Sequence, residues 1–224
     1  MVGSLLRASS GGSALLKEFM LQEYFDEMKY GDWTCSSLLD ADTVIERSKI
    51  FAFHPTVREL HGYVLDDENT SNHHFLITVE PMAGSVFFLS HDDASRVVFE
   101  SAADFLYSVR KAQVEGLSIS DLHPRLSPVA RDQTALENFV HALLRKGCND
   151  LVVSLVPSLD LENLSLLQLL TSDADFFLGE AVAMEIEKRP SVALLPIATT
   201  CADHVHTQVA AAGSRAVRRI QQLL

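Results

Sequence analysis

The stretch from Asn72 to Arg110 constrains the fold more than any other part of this chain. His74-Phe-Leu-Ile-Thr-Val79 is an apolar, β-branched run, interrupted by Pro81-Met-Ala-Gly84. Ser85-Val-Phe-Phe-Leu89, the polar His91-Asp92-Asp93 and Arg96-Val-Val-Phe99 follow, so the pattern predicts strands joined by tight turns. After Ser101, Ala102, Phe105, Leu106 and Val109 recur at helical spacing and predict a closing helix. Such a meander buries one face, against which this helix packs. The stretch contains no nucleophile motif, metal triad or phosphate loop, so it speaks to architecture more than to chemistry.

Beyond it the pattern changes. Gly116, Ser118, Ser120, Pro124, Ser127 and Pro128 break both periodicities, as a linker does. From there on the spacing is helical. Thr134 is positioned to cap a helix with the stripe Leu136, Phe139, Val140, Leu143 and Leu144. Short apolar pieces cover 150–159 and 161–170, and Ser172-Asp173 precedes a helix carrying Phe177, Leu178, Ala181, Met184 and Ile186. Arg189-Pro190 ends that helix. A further helix spans 192–201, with Pro196 either kinking it or sitting in its first turn. The last helix, 205–224, turns Val209, Ala212, Ala216, Val217 and Ile220 inward and ends in Arg218 and Arg219, which suit its dipole. Asp173-Ala-Asp-Phe-Phe-Leu-Gly resembles His204-Val-His-Thr-Gln-Val-Ala about 31 residues later, a weak repeat similar to HEAT-type helical pairs. An irregular bundle is the competing reading. The predicted domains are thus an α+β unit at 1–115, a linker at 116–131, and an all-α helical-hairpin stack at 132–224.

The net charge is −12, and it is uneven. Residues 1–130 hold 10 Lys+Arg against 19 Asp+Glu, and residues 131–224 hold 8 against 11. An acidic front half repels nucleic acid, whose binding needs clustered cations. It would steer a basic protein instead, raising its on-rate. Candidate patches are Asp66-Asp67-Glu68, Asp92-Asp93, and Asp40 with Asp42. No apolar run reaches the ~18 residues of a membrane span, and the N-terminus lacks the pattern of a secretory signal. Cys35, Cys148 and Cys201 form no metal or redox spacing, and an odd count without a signal predicts a reducing, cytoplasmic setting.

Chemistry is weakly signalled. His73 and His74 face opposite sides of a strand and cannot share a metal. Cys201, Asp203, His204 and His206 lack zinc-ligand spacing. His91-Asp92 fits a turn at least as well as an acid–base pair. No hydrolase, zincin or P-loop motif occurs. The expectation is therefore no enzyme, no catalytic residue, no metal and no cofactor. Trp33, in Tyr30-Gly-Asp-Trp33, is either a core plug or an interface anchor. Tyr24, Phe25 and Met28 form a core helix face, and Phe51-Ala-Phe53 reads as a buried strand.

Three segments carry a resemblance to the SUKH superfamily, which includes yeast cell-wall-synthesis regulators and many bacterial immunity proteins. Leu5-Leu-Arg-Ala-Ser-Ser-Gly-Gly12 resembles its helix end and glycine turn. Phe75–Val79 with Gly84–Asp92 resembles its central strands. Val97–Phe99 with Ser101-Ala-Ala-Asp-Phe-Leu106 resembles its last strand and Ser-capped helix. The match spans residues about 4–110. The family's preceding helix and Leu-Pro step are missing, which suggests a truncated start or an edge covered by a partner, including a second copy. The resemblance implies a non-catalytic binding module that neutralises a secreted nuclease- or deaminase-type toxin. Trp33, Tyr63, Asp66, Asp67, Glu68, Asp92 and Asp93 are its candidate partner-binding residues, with neither nucleic acid nor membrane as partner. The alternative is an intracellular scaffold or adaptor binding through its helical repeats.

Overall fold

A computed structural model describes residues 8–33, 36–66 and 71–224, and divides the chain into two compact units between Pro128 and Val129. The front unit runs α1 (Ala8–Met28), α2 (Ala41–Phe51), α3 (Pro55–Glu59), β1 (Tyr63–Val64), β2 (His73–Leu76), β3 (Val86–Leu89), β4 (Arg96–Phe99) and α4 (Ala102–Glu115). A 3₁₀ turn, Ile119–Leu122, follows. The strands form one antiparallel sheet in chain order, with Tyr63 opposite Leu76, Phe75 opposite Phe87 and Phe87 opposite Val97. The α+β class expected from the meander is therefore observed. Gly84, at φ +88°, lets the β2–β3 connection fold back so that its N–H reaches the Ile77 carbonyl at 2.9 Å. Ser101 caps α4 through the Asp104 N–H, and Gly116 ends that helix in the left-handed region.

The meander buries both faces rather than one. Leu76, Val86 and Phe88 pack with Tyr24 of α1 and with Phe105 and Val109 of α4. On the other face the ring of Phe51 sits 5.4 Å from that of Phe75. All four residues of β2 are buried, His73 and His74 with Phe75 and Leu76, as a strand covered on both faces requires.

Three local expectations change. Phe51 ends α2 and Phe53 lies exposed, because Asp40 accepts the Thr43 N–H and starts a helix that outweighs a three-residue alternation. Gly11 and Gly12 lie inside α1 rather than in a turn, since two glycines cost a helix only about 2 kcal/mol when good formers such as Leu15, Lys17 and Glu18 continue it. The segment after Gly116 is not a free linker either: Arg96 donates to the Pro124 carbonyl (2.6 Å) and to Ser127 Oγ (3.3 Å), tying it to the sheet.

In the back unit every regular element is helical: α5 (Gln133–Lys146), α6 (Asn149–Leu155), α7 (Leu164–Thr171), α8 (Phe176–Lys188), α9 (Leu195–Ala202) and α10 (Thr207–Gln221). α5, α7 and α9 begin 31 residues apart, as do α8 and α10. Residues at that offset share their burial: Leu166 with Ile197, Leu167 with Ala198, Leu170 with Cys201, Leu178 with Val209. Asp132, not Thr134, caps α5, and Asp175, not Ser172-Asp173, caps α8. In each case the aspartate immediately precedes the first helical residue, where extended backbone aims its carboxylate at the free N–H groups. Pro196 sits in the first turn of α9, where its missing N–H costs nothing. Gly213 lets α10 approach α9 closely: a β-carbon there would lie 2.3 Å from the Ala202 nitrogen.

Candidate functional site

The most unusual chemistry in the front unit is a buried polar chain that joins three distant parts of the sequence. Asp66 follows β1 and pairs with Leu38 in an isolated bridge. Hydrogen bonding between the Leu65 N–H and the His74 carbonyl (2.9 Å) carries β1 one residue further along β2. That extension turns the Asp66 carboxylate inward, where Oδ1 accepts the His74 backbone N–H at 3.0 Å and Oδ2 meets the ring Nδ1 of His74. The other ring nitrogen, Nε2, lies 2.8 Å from Nε2 of His123, which stands just after the 3₁₀ turn. Both imidazoles sit among aromatic rings: His74 is 5.0 Å from Phe88 and 5.1 Å from Phe105, and His123 is 4.5 Å from Phe88.

The two facing Nε2 atoms share one proton, since one nitrogen must donate and the other accept. Burial first, then the neighbouring His74 and Arg96, pushes the His123 pKa down to about 3, so this ring is neutral at ordinary pH. An Asp–His pair is also the skeleton of a general base; here the buried His74 ring meets Asp66 through one nitrogen and His123 through the other. Through His123 the chain links the segment after α4 to the sheet.

Above Asp66 lies a cleft of about 450 Å³ between Ser36–Leu38 and the C-terminal end of α4. The Ser36 hydroxyl donates to the Trp33 carbonyl at 2.7 Å and is thus held as part of the loop. The Tyr24 hydroxyl is buried without a hydrogen-bond partner, and burial together with the Asp66 charge raises its pKa.

Among the described residues, those expected to bind a partner do not gather in one place. Asp66 is buried in the chain just described, because the strand extension turns it inward, and so it belongs to no surface acidic patch. Asp67 and Glu68 lie outside the described residues. Asp92 and Asp93 crown the β3–β4 turn, where Asp92 is exposed and 2.8 Å from His91 Nδ1, and Asp93 accepts the Ala94 N–H. Trp33 is half-buried against the front core: its indole N–H donates to the Met28 carbonyl at 2.7 Å, and Arg110 lies 4.8 Å over its ring. Tyr63 is half-buried beneath Lys17, whose Nζ is 4.8 Å from the ring centre.

His123 escaped sequence reasoning. It stands in a serine–proline stretch, and only the spacing of Leu117, Ile119 and Leu122 before it hints at packing. In the back unit, His206 stacks on Phe176 and its N–H meets His204 Nδ1 at 3.0 Å. Among the described residues no group of three or more His, Cys, Asp or Glu is placed to hold a metal. Cys201 is buried, its thiol pushed up to about 12, and behaves as a small apolar residue, while Cys35 lies outside the described residues. Among the described residues no helix is long and apolar enough to cross a membrane. No family model, no curated protein and no solved structure matches this chain.

Proposed function

We propose that this chain is a non-catalytic protein-binding module of SUKH-like architecture that neutralises a basic, secreted toxin of nuclease or deaminase type. The observation that carries this reading is the pair of aspartates on the β3–β4 turn of a unit whose sequence is strongly acidic. Carboxylates on an exposed turn act early in an encounter with a cationic partner, before any surface is desolvated. A meander followed by a Ser-capped helix supports the same reading through the SUKH resemblance.

A second reading, an adaptor working through a HEAT-like helical array, draws on the helix starts repeated at Gln133, Leu164 and Leu195. Stacked pairs of this kind offer extended binding surfaces. Affinity purification of the tagged chain from its source cell, read by mass spectrometry, separates the two. Recovery of a basic secreted toxin, with association slowed about tenfold or more by Asp92→Lys/Asp93→Lys at low salt, supports the first. Partners that bind the isolated residues 129–224 instead favour the second, and turnover of substrate by the purified protein overturns both.

A further inference from the structure

Three of the ten Lys and Arg residues in the acidic first 130 positions meet in one place. Lys17 of α1, Lys49 of α2 and Arg58 of α3 line a cleft of about 380 Å³, together with His61 and Tyr63. Its floor is apolar, from Ile45, Val57 and Gly62, and no carboxylate is among its lining residues. We propose that this cleft binds the phosphate group of a small phosphorylated molecule, independently of the toxin-binding reading.

Charge makes the case first. Three cations from three separate helices converge in a unit where carboxylates outnumber cations by 19 to 10, and scattered solubility charge does not do this. Two lysines, with an arginine whose charge Glu59 partly offsets, suit a phosphate, which carries about −1.5 to −2, better than a single carboxylate. Geometry makes it second. Lys17 lies over the Tyr63 ring, a contact that fixes a long flexible side chain at the cleft wall. The Arg58 contact with Glu59, at 3.5 Å, engages Nε of the guanidinium rather than its terminal nitrogens.

His61 completes the polar lining. It follows α3 at φ +46° as an ordinary left-handed helix cap, its N–H reaching the Arg58 carbonyl and the Gly62 N–H the Val57 carbonyl. The Thr78 hydroxyl donates to its carbonyl at 2.8 Å, so the residue is held at the cleft. The volume matches a small phosphorylated molecule, and the apolar floor would carry its non-phosphate part.

The probe is inorganic pyrophosphate, titrated into the full chain at constant ionic strength and followed by ¹H–¹⁵N NMR. Saturable shifts confined to residues 45–63 and the turn of α1 around Lys17 are expected. Lys49→Ala/Arg58→Ala alters only exposed side chains, should keep the wild-type circular dichroism, and should weaken binding about tenfold or more. Lys49→Gln alone should give a smaller loss should the double variant misfold. Shifts that do not saturate, that chloride reproduces, or that persist with unchanged affinity in a folded variant overturn the proposal. Competition by glucose 6-phosphate would assign a soluble ligand. Co-sedimentation with phosphatidylcholine vesicles carrying phosphatidylinositol 4-phosphate, lost in the variant, would assign a lipid headgroup.

Discussion

The two units bury their cores with different materials. In the back unit the buried positions are mostly Leu, Val, Ile and Ala, several repeated at a fixed offset; beside the hydroxyls of Ser154, Ser158 and Thr171, its one buried charged side chain, Glu185, is bonded to Lys188 and Arg189 within a turn of its own helix. The front unit instead buries Asp66, His73, His74 and the hydroxyl of Tyr24, and the partner that completes its polar chain, His123, lies 49 residues from His74. An apolar repeat stabilises through area that many residues share. A polar chain stabilises only while every member is satisfied, so it concentrates vulnerability in a few atoms. The back core should degrade gradually under substitution and the front core abruptly.

The largest expected effect is Asp66→Ala, which leaves a buried N–H and an imidazole nitrogen without their acceptor. It should cost about 3–5 kcal/mol, read as a lowered urea midpoint of fluorescence from Trp33, the one tryptophan of the chain and a reporter of the front unit. A loss under about 1 kcal/mol would erase the contrast between the units. Gly213→Ala comes next, at about 2–3 kcal/mol, because the new methyl meets α9 backbone. Gly179→Ala on α8, whose nearest contacts would be 3.4 Å away, should be neutral or gain up to about 1 kcal/mol from helix propensity. Equal losses at the two glycines, by circular dichroism, would show that close approach is not what the α9–α10 contact requires.

A smaller effect is expected from pH. The pKa of His123 in the fold, about 3, lies below its unfolded value of 6.5. Between those values the unfolded chain binds a proton that the fold refuses. The stability that depends on neutral His123 is therefore complete above pH 6.5 and is lost as pH falls through that window. Discounted for the edge of the ring that solvent still reaches, the loss is on the order of 2 kcal/mol. His123→Gln should be less stable at pH 7 yet lose less on acidification, and an identical pH slope in both proteins would remove His123 from the account. The smallest effect is a gain: Tyr24→Phe removes a buried hydroxyl without a partner and should stabilise by about 1 kcal/mol, a rise of several degrees in Tm. A fall would mean that the hydroxyl has a partner in solution.

Much of this was legible in the sequence where physics acts locally. Ser101 three residues before Asp104 and Gly116 after α4 mark helix ends by backbone chemistry that needs no tertiary context. The 31-residue offset is visible because equivalent positions face the same neighbours. The candidate site was hardly legible. Asp66 reads as one of three consecutive acids, and nothing in that run says that a single residue of strand extension turns the first of them inward.

By itself the sequence determined the order of strand and helix from Asn72 onward, the switch from one periodicity to the other across 116–131, and the excess of negative charge at the front. These follow from neighbours a few residues apart and from composition. Only the tertiary structure decided that both sheet faces are buried, that a histidine in a proline–serine stretch closes a buried chain, and that Lys17, Lys49 and Arg58 share one cleft. Those facts depend on where chain segments tens of residues apart come to lie. A sequence records such placement only when apolar periodicity carries it, and isolated polar residues have no periodicity to read.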